Sequence, residues 1–237
     1  MNRTGKLWRF AGAALAAWLG LVMAAPGTAS GQTAVDLELV LAIDCSYSVD
    51  AGEFELQKKG LALAFQNPKI LQKIREGPLG MIAITVIEWS SAHSQIVAVP
   101  WTLVYDEASA YDLAARIIAI PRLTADGGTS ISAMIEVGVA MLDNNSFIGD
   151  RRVIDISADG HNNHGYPLDL MTRHAERNNV NLNGLAITHE HPDLDIYFQH
   201  HLITGVGSFV VTANGYGKYA EAIDRKLMRE IGGSPLW

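Results

Sequence analysis

The 237-residue chain is 49% hydrophobic and 18% charged, a globular composition long enough to bury a full core, which disfavours both a disordered chain and a disulfide-stapled scaffold. Its 18 basic and 25 acidic residues give a net charge of −7 with no Lys/Arg cluster, so the positive surface that nucleic-acid binding needs is missing. The single cysteine, Cys45, excludes an intramolecular disulfide and a cysteine-based zinc cage.

Arg3, Lys6 and Arg9 precede an apolar run from Phe10 to Ala25, and residues 26–31 then supply small side chains where a signal peptidase would cut. Residues 1–31 therefore read as a secretory signal peptide. An uncleaved membrane anchor is the competing reading, because the run approaches a minimal span. Pro26 and Gly27 favour cleavage, since they stop the helix where the apolar region should end. The mature chain would keep 15 basic residues against 25 acidic ones, and would work in the periplasm or as a secreted protein. No later segment approaches membrane length, so no span is expected in it.

From Val35 onward, short aliphatic and β-branched runs alternate with segments of helical period, the pattern of a mostly parallel sheet covered on both faces. Strands are expected at Leu37–Ile43, Met81–Glu88, Gln95–Trp101, Val153–Ser157, Asn183–Thr188 and Ser208–Thr212. Helices are expected at Gly52–Gln66, Ser109–Ile120, Ser130–Leu142, Leu168–Asn178, Leu194–Leu202 and Tyr216–Ile231, the last on the stripe Tyr219, Ile223, Leu227 and Ile231. The link between the second and third strands, residues 89–94, is too short for a helical crossover, so that pair must be an antiparallel hairpin at one edge. The expected fold is one α/β domain over residues 35–233: a doubly wound, six-stranded sheet with one antiparallel edge strand.

In such a sheet the chemistry gathers beyond the carboxyl ends of the strands, where strand order reverses. Strand one ends in Asp44-Cys45-Ser46-Tyr47-Ser48 and strand four in Ala158-Asp159-Gly160, while Asp126-Gly127-Gly128-Thr129-Ser130 opens a helix. If strands one and four are neighbours, these loops bring carboxylates and hydroxyls to one point. An all-oxygen set with few carboxylates suits Mg²⁺, with Mn²⁺ or Ca²⁺ next. The bland reading makes Ser48 or Asp50 and Thr129 mere helix caps. Capping does not require Asp at the ends of two buried strands.

The constellation resembles the metal-ion-dependent adhesion site (MIDAS) of von Willebrand factor type A (vWA) domains, whose Asp-x-Ser-x-Ser, Thr and Asp elements match Asp44, Ser46, Ser48, Thr129 and Asp159 in that order. The likeness runs from Val35 to about Gly233. The surrounding text, with its Gly-Gly-Thr-Ser turn and the final Lys-Leu-x-Arg-Glu-Ile at 226–231, is most similar to a bacterial exported vWA subgroup known only as a domain of unknown function. The resemblance implies that Ser46, Ser48 and Thr129 coordinate the ion, that Asp44 and Asp159 hold its waters or bind it directly, and that a partner protein's Asp or Glu takes the sixth position. Neutral hydroxyl ligands cancel little of a dication's charge, so the ion stays able to take an outside carboxylate. Cys45 and Tyr47 depart from the subgroup pattern, and Tyr47 should crowd the rim. No catalysis is expected: no nucleophile–base pair, Gly-x-Ser-x-Gly elbow or phosphate-binding fingerprint occurs.

All eight histidines lie at or after position 93. The run His189-Glu190-His191-Pro192-Asp193 is similar to the His-x-His-x-Asp-His signature of metallo-β-lactamase-fold hydrolases, with Leu194 where the last His should stand. A zinc metallohydrolase built on His189 and His191 is therefore an alternative, as is a scaffold protein with a vestigial site. His161 and His164 should share the rim with the ion, and Asp193 and Asp195 read as caps of the next helix.

Overall fold

A computed structural model describes residue 1 and residues 31–124 and 127–233. All but the two end residues of the expected signal peptide, and Asp126, lie outside the described residues. Strand β1 (Thr33–Asp44) and strand β4 (Phe147–Ala158) form the centre of a six-stranded sheet. Strands β2 (Ile82–Trp89) and β3 (Gln95–Val104) lie on one side, with β5 (Asn181–Ile187) and β6 (Val210–Ala213) on the other. The order is β3-β2-β1-β4-β5-β6, and all pairings are parallel except β2–β3. This is the expected doubly wound sheet with one antiparallel edge strand.

The alternation of side chains along β1 shows why its sequence is apolar on both faces. Leu37, Leu39, Leu41 and Ile43 pack in one core with helices α1 (Ala51–Phe65), α2 (Pro68–Arg75), α3 (Glu107–Ile118) and α7 (Tyr219–Gly232). Val40 and Ala42 face a second core with α4 (Ile131–Asp143), α5 (Leu168–Arg177) and α6 (Leu194–His201).

Several boundaries differ from the sequence expectation. Helix α2 is additional: Asn67 caps Lys69 N–H, Pro68 takes the first turn, and Ile70, Leu71 and Ile74 supply its buried stripe. β1 and β4 start earlier, at Thr33 and Phe147, because they pair with each other beyond the helices, where the charged 150–152 stretch tolerates partial exposure. Helix α3 starts at Glu107 because Asp106 and Ser109 form its capping box, which makes Ser109 the third helical residue rather than the first. A 3₁₀ turn, Tyr216–Lys218, precedes α7 where a single helix is expected.

The register sets the site. Ile43 lies opposite Ser157 on β4 and opposite Glu88 on β2. Asp44 and Asp159 therefore leave adjacent strands at the same level, on the carboxyl edge where strand order reverses. The hairpin loop 90–94 reaches that edge too.

Candidate metal centre

Four of the five expected ligand residues are joined by direct contacts. Asp44 is fully buried, and its Oδ1 accepts the Ser46 N–H at 2.7 Å. Ser46 Oγ lies 3.2 Å from Ser48 Oγ, and Ser48 Oγ donates to Asp159 Oδ1 at 2.7 Å. Thr129 reaches the same place from the α4 loop: a Cβ added to Gly160 would stand 3.6 Å from Thr129 Oγ1, and Ser48, Thr129 and Gly160 line one open depression of about 640 Å³. Segments that lie 111 residues apart, at Ser48 and Asp159, thus close into one cluster.

Helix capping is done by neighbours of these residues. Asp50 caps α1, accepting the Glu53 N–H at 2.8 Å while Glu53 Oε2 accepts the Asp50 N–H at 2.9 Å. Ser130 caps α4 through the Ala133 N–H. Ser48 and Thr129 therefore cap neither helix. Asp193 takes the cap position of α6 but its side chain makes no capping bond there, and Asp195 stands in the first turn.

A hard cation fits the chemistry of this donor set. Asp44 Oδ2 is buried with no hydrogen-bond partner among the described residues, a costly arrangement for a carboxylate. Burial first, and the neighbouring Asp159 carboxylate second, push the Asp44 carboxyl up to about 7. A dication would relieve both causes. Asp159 is better satisfied, because Tyr216 OH donates to its Oδ2 at 3.1 Å. Burial and Asp159 push the Tyr216 phenol up, so it stays a donor.

Tyr216 was not legible as a site residue, since it reads as the start of an amphipathic helix. Other unforeseen partners hold the loops. Gln57 Nε2 donates to the Asp44 carbonyl at 3.0 Å, and Asn163 Oδ1 accepts the Thr129 N–H at 2.8 Å. The Asn163 and His164 N–H groups return bonds to the Thr129 carbonyl. Cys45 is buried, and burial pushes its thiol up to about 12, so it has no reactive thiolate at neutral pH.

Tyr47 is 82% exposed and lines the depression, as expected of a residue at the rim, and His161 and His191 line it too. The His161 ring meets His191 edge-on at 4.9 Å and Tyr197 at 4.3 Å. Burial, followed by His191, lowers the His161 imidazole. His189 instead packs beside Gly215, so the two histidines of the hydrolase-like run face different neighbours. Among the described residues, no three His, Cys, Asp or Glu side chains stand together as a metal cage. His164 also turns aside, its Nδ1 accepting the Ala92 N–H at 3.0 Å.

Solved structures similar to this chain include vWA domains. Proximal thread matrix protein 1 from the mussel byssus, in a structure with a zinc-occupied MIDAS motif, is 15% identical with a TM-score of 0.60 over 83% of this chain and 48% of that one. A von Willebrand factor type A protein from Catenulispora acidiphila is 17% identical with a TM-score of 0.54 over 84% and 43%. The SpRpn10 VWA domain is 17% identical with a TM-score of 0.55 over 86% and 100%. The chain thus spans about half the length of the mussel protein. At these identities the likeness establishes the fold, which is that of a vWA domain. No curated protein matches the sequence. The family described as "Protein of unknown function (DUF1194)" matches residues 34–235, nearly everything after the N-terminal apolar segment, and the chain belongs to it.

Proposed function

We propose that this chain is an exported, non-catalytic protein-binding module that captures a partner's Asp or Glu through a divalent cation, Mg²⁺ first and Mn²⁺ or Ca²⁺ next. The observation that carries the reading is Asp44 Oδ2, a buried and unpartnered carboxylate oxygen beside two hydroxyls and a second carboxylate. Ser46, Ser48 and Thr129 would supply neutral oxygen ligands, with Asp44 and Asp159 binding directly or through water. When bound, the cation supplies a Lewis-acidic position for an outside carboxylate. The zinc-occupied MIDAS motif of the mussel protein supports this use of the fold. Export is supported by the N-terminal basic and apolar pattern, and no helix among the described residues is long and apolar enough to cross a membrane.

Gly160 separates ion binding from partner capture. Its φ lies outside the left-handed region, and an added methyl would meet only Thr129 Oγ1. Gly160→Ala should therefore fold, and keep a Mg²⁺-induced rise in melting temperature, while the methyl obstructs the approach of a partner carboxylate. The test is retention of a periplasmic partner by the immobilised chain in Mg²⁺ and its release by chelator. Thr129→Ala should lose both the melting shift and the partner, and Gly160→Ala the partner alone. Equal retention by Thr129→Ala in excess chelator would refute the mechanism.

A further inference from the structure

We propose that Arg122 is the positioning residue of the cation site, a guanidinium latch that fixes the Ser46–Ser48 loop in its ligand-presenting form. The inference rests on the cation reading above and adds to it a residue that lies outside the five proposed ligands. Arg122 Nη1 donates to the Val49 carbonyl at 2.8 Å, and Nη2 donates to the Cys45 carbonyl at 3.1 Å and the Ser46 carbonyl at 3.5 Å. Three carbonyls of a five-residue loop thus converge on one side chain. The Val49 N–H also donates to the Ser46 carbonyl, at 3.0 Å. Fixing those peptide planes fixes the directions of the Ser46 and Ser48 side chains between them.

The latch is itself anchored. Glu88, fully buried at the end of β2, accepts the Leu123 N–H at 2.7 Å, the Thr124 N–H at 3.2 Å and the Thr124 hydroxyl at 3.4 Å, all on Oε2. Glu88 pairs with Ile43 across the β1–β2 ladder, one residue before Asp44. The backbone that carries Arg122 is therefore keyed to the strand end that carries Asp44. Thr129 is held by separate bonds: the Gly127 carbonyl accepts the Tyr47 N–H at 2.9 Å and the Ser130 N–H donates to the Ser90 carbonyl at 2.8 Å. Arginine suits the task and lysine does not. The planar fork presents donors to several carbonyls at once, whereas an ammonium is a compact point donor on a flexible stem.

The test is calorimetric titration of the full chain with Mn²⁺, together with melting of the metal-free protein. Arg122→Gln and Arg122→Lys should both weaken Mn²⁺ binding about 10–100-fold, the range for residues that orient ligands. A core variant away from the site, Ile223→Val, chosen to lower the melting point, should leave Mn²⁺ affinity unchanged; a merely structural role would move the two together. Guanidinium ion added to Arg122→Ala should restore part of the affinity. Wild-type affinity in both Arg122→Gln and Arg122→Lys would overturn the latch while leaving the cation site standing. Failure of the wild type to bind Mn²⁺ would overturn the cation reading itself, and the latch with it.

Discussion

Replacing Lys226 by methionine is expected to destabilise the protein by about 3–5 kcal/mol, the cost of stranding buried charge when one partner of an ion pair is removed. Lys226 on α7 has 0% exposure. Its Nζ lies 2.6 Å from Asp155 Oδ1 on β4 and 2.6 Å from Glu230 Oε1 one helical turn on. Asn183 donates to the same Glu230 oxygen at 3.0 Å, yet Asp155 Oδ2 and Glu230 Oε2 have no hydrogen-bond partner among the described residues. Two carboxylates thus share one ammonium. Burial first, and then Glu230, raise the Asp155 carboxyl well above the usual range, so at pH values between the ordinary carboxylate pKa and the folded one the folded state binds a proton that the unfolded state has released.

The sign of the pH dependence follows. A carboxyl raised on folding leaves stability intact below the ordinary carboxylate pKa and erodes it as pH rises towards the folded value. Removing Lys226 removes an ammonium that opposes that rise. The deficit of Lys226→Met should accordingly be larger at pH 8 than at pH 5. Urea melts at the two pH values measure it, with a lower midpoint and an unchanged slope. A variant as stable as the wild type at pH 8 would show that the ammonium is not needed to hold the pair.

Asp44→Asn is expected to act in the opposite direction on the metal-free protein, and to abolish its response to divalent ions. The Asp44 carboxyl is pushed up to about 7 by burial and by Asp159, so the metal-free wild type should lose stability as pH rises from about 4 to 7. A neutral amide of the same shape keeps an oxygen for the Ser46 N–H and removes the charge. At pH 8 without metal, Asp44→Asn should melt at or above the wild-type temperature. Saturating Mg²⁺ should raise the wild-type melting point and leave that of the variant unmoved. A wild type indifferent to Mg²⁺ and Mn²⁺ would favour a vestigial site.

The sheet was readable because burial on both faces writes strands as continuous apolar runs, and because a six-residue link forces a hairpin. The convergence of the candidate site was readable for a related reason: Asp44 and Asp159 are carboxylates placed where two buried strands end. Helix α2 was hidden by its brevity and by Pro68, whose ring suits a first turn but reads as a break. Tyr216, Gln57, Asn163, Glu88 and Arg122 were hidden because their roles come from tertiary neighbours. Tyr216 meets Asp159 across 57 residues and Arg122 meets Cys45 across 77, and nothing local in the sequence marks either pairing. Capping was ambiguous in the same way, since Ser48 and Asp50, or Thr129 and Ser130, are chemically equal candidates. The backbone geometry gives the caps to Asp50 and Ser130.

The most direct test of the proposed cation site is anomalous diffraction from crystals of the chain grown or soaked with Mn²⁺. The account predicts a single strong peak at the carboxyl edge of the sheet, bonded to the hydroxyls of Ser46, Ser48 and Thr129 at about 2.0–2.6 Å, with Asp44 and Asp159 beside it. A peak held by His161 and His191 with none near Ser46, or no peak at saturating Mn²⁺, would contradict it.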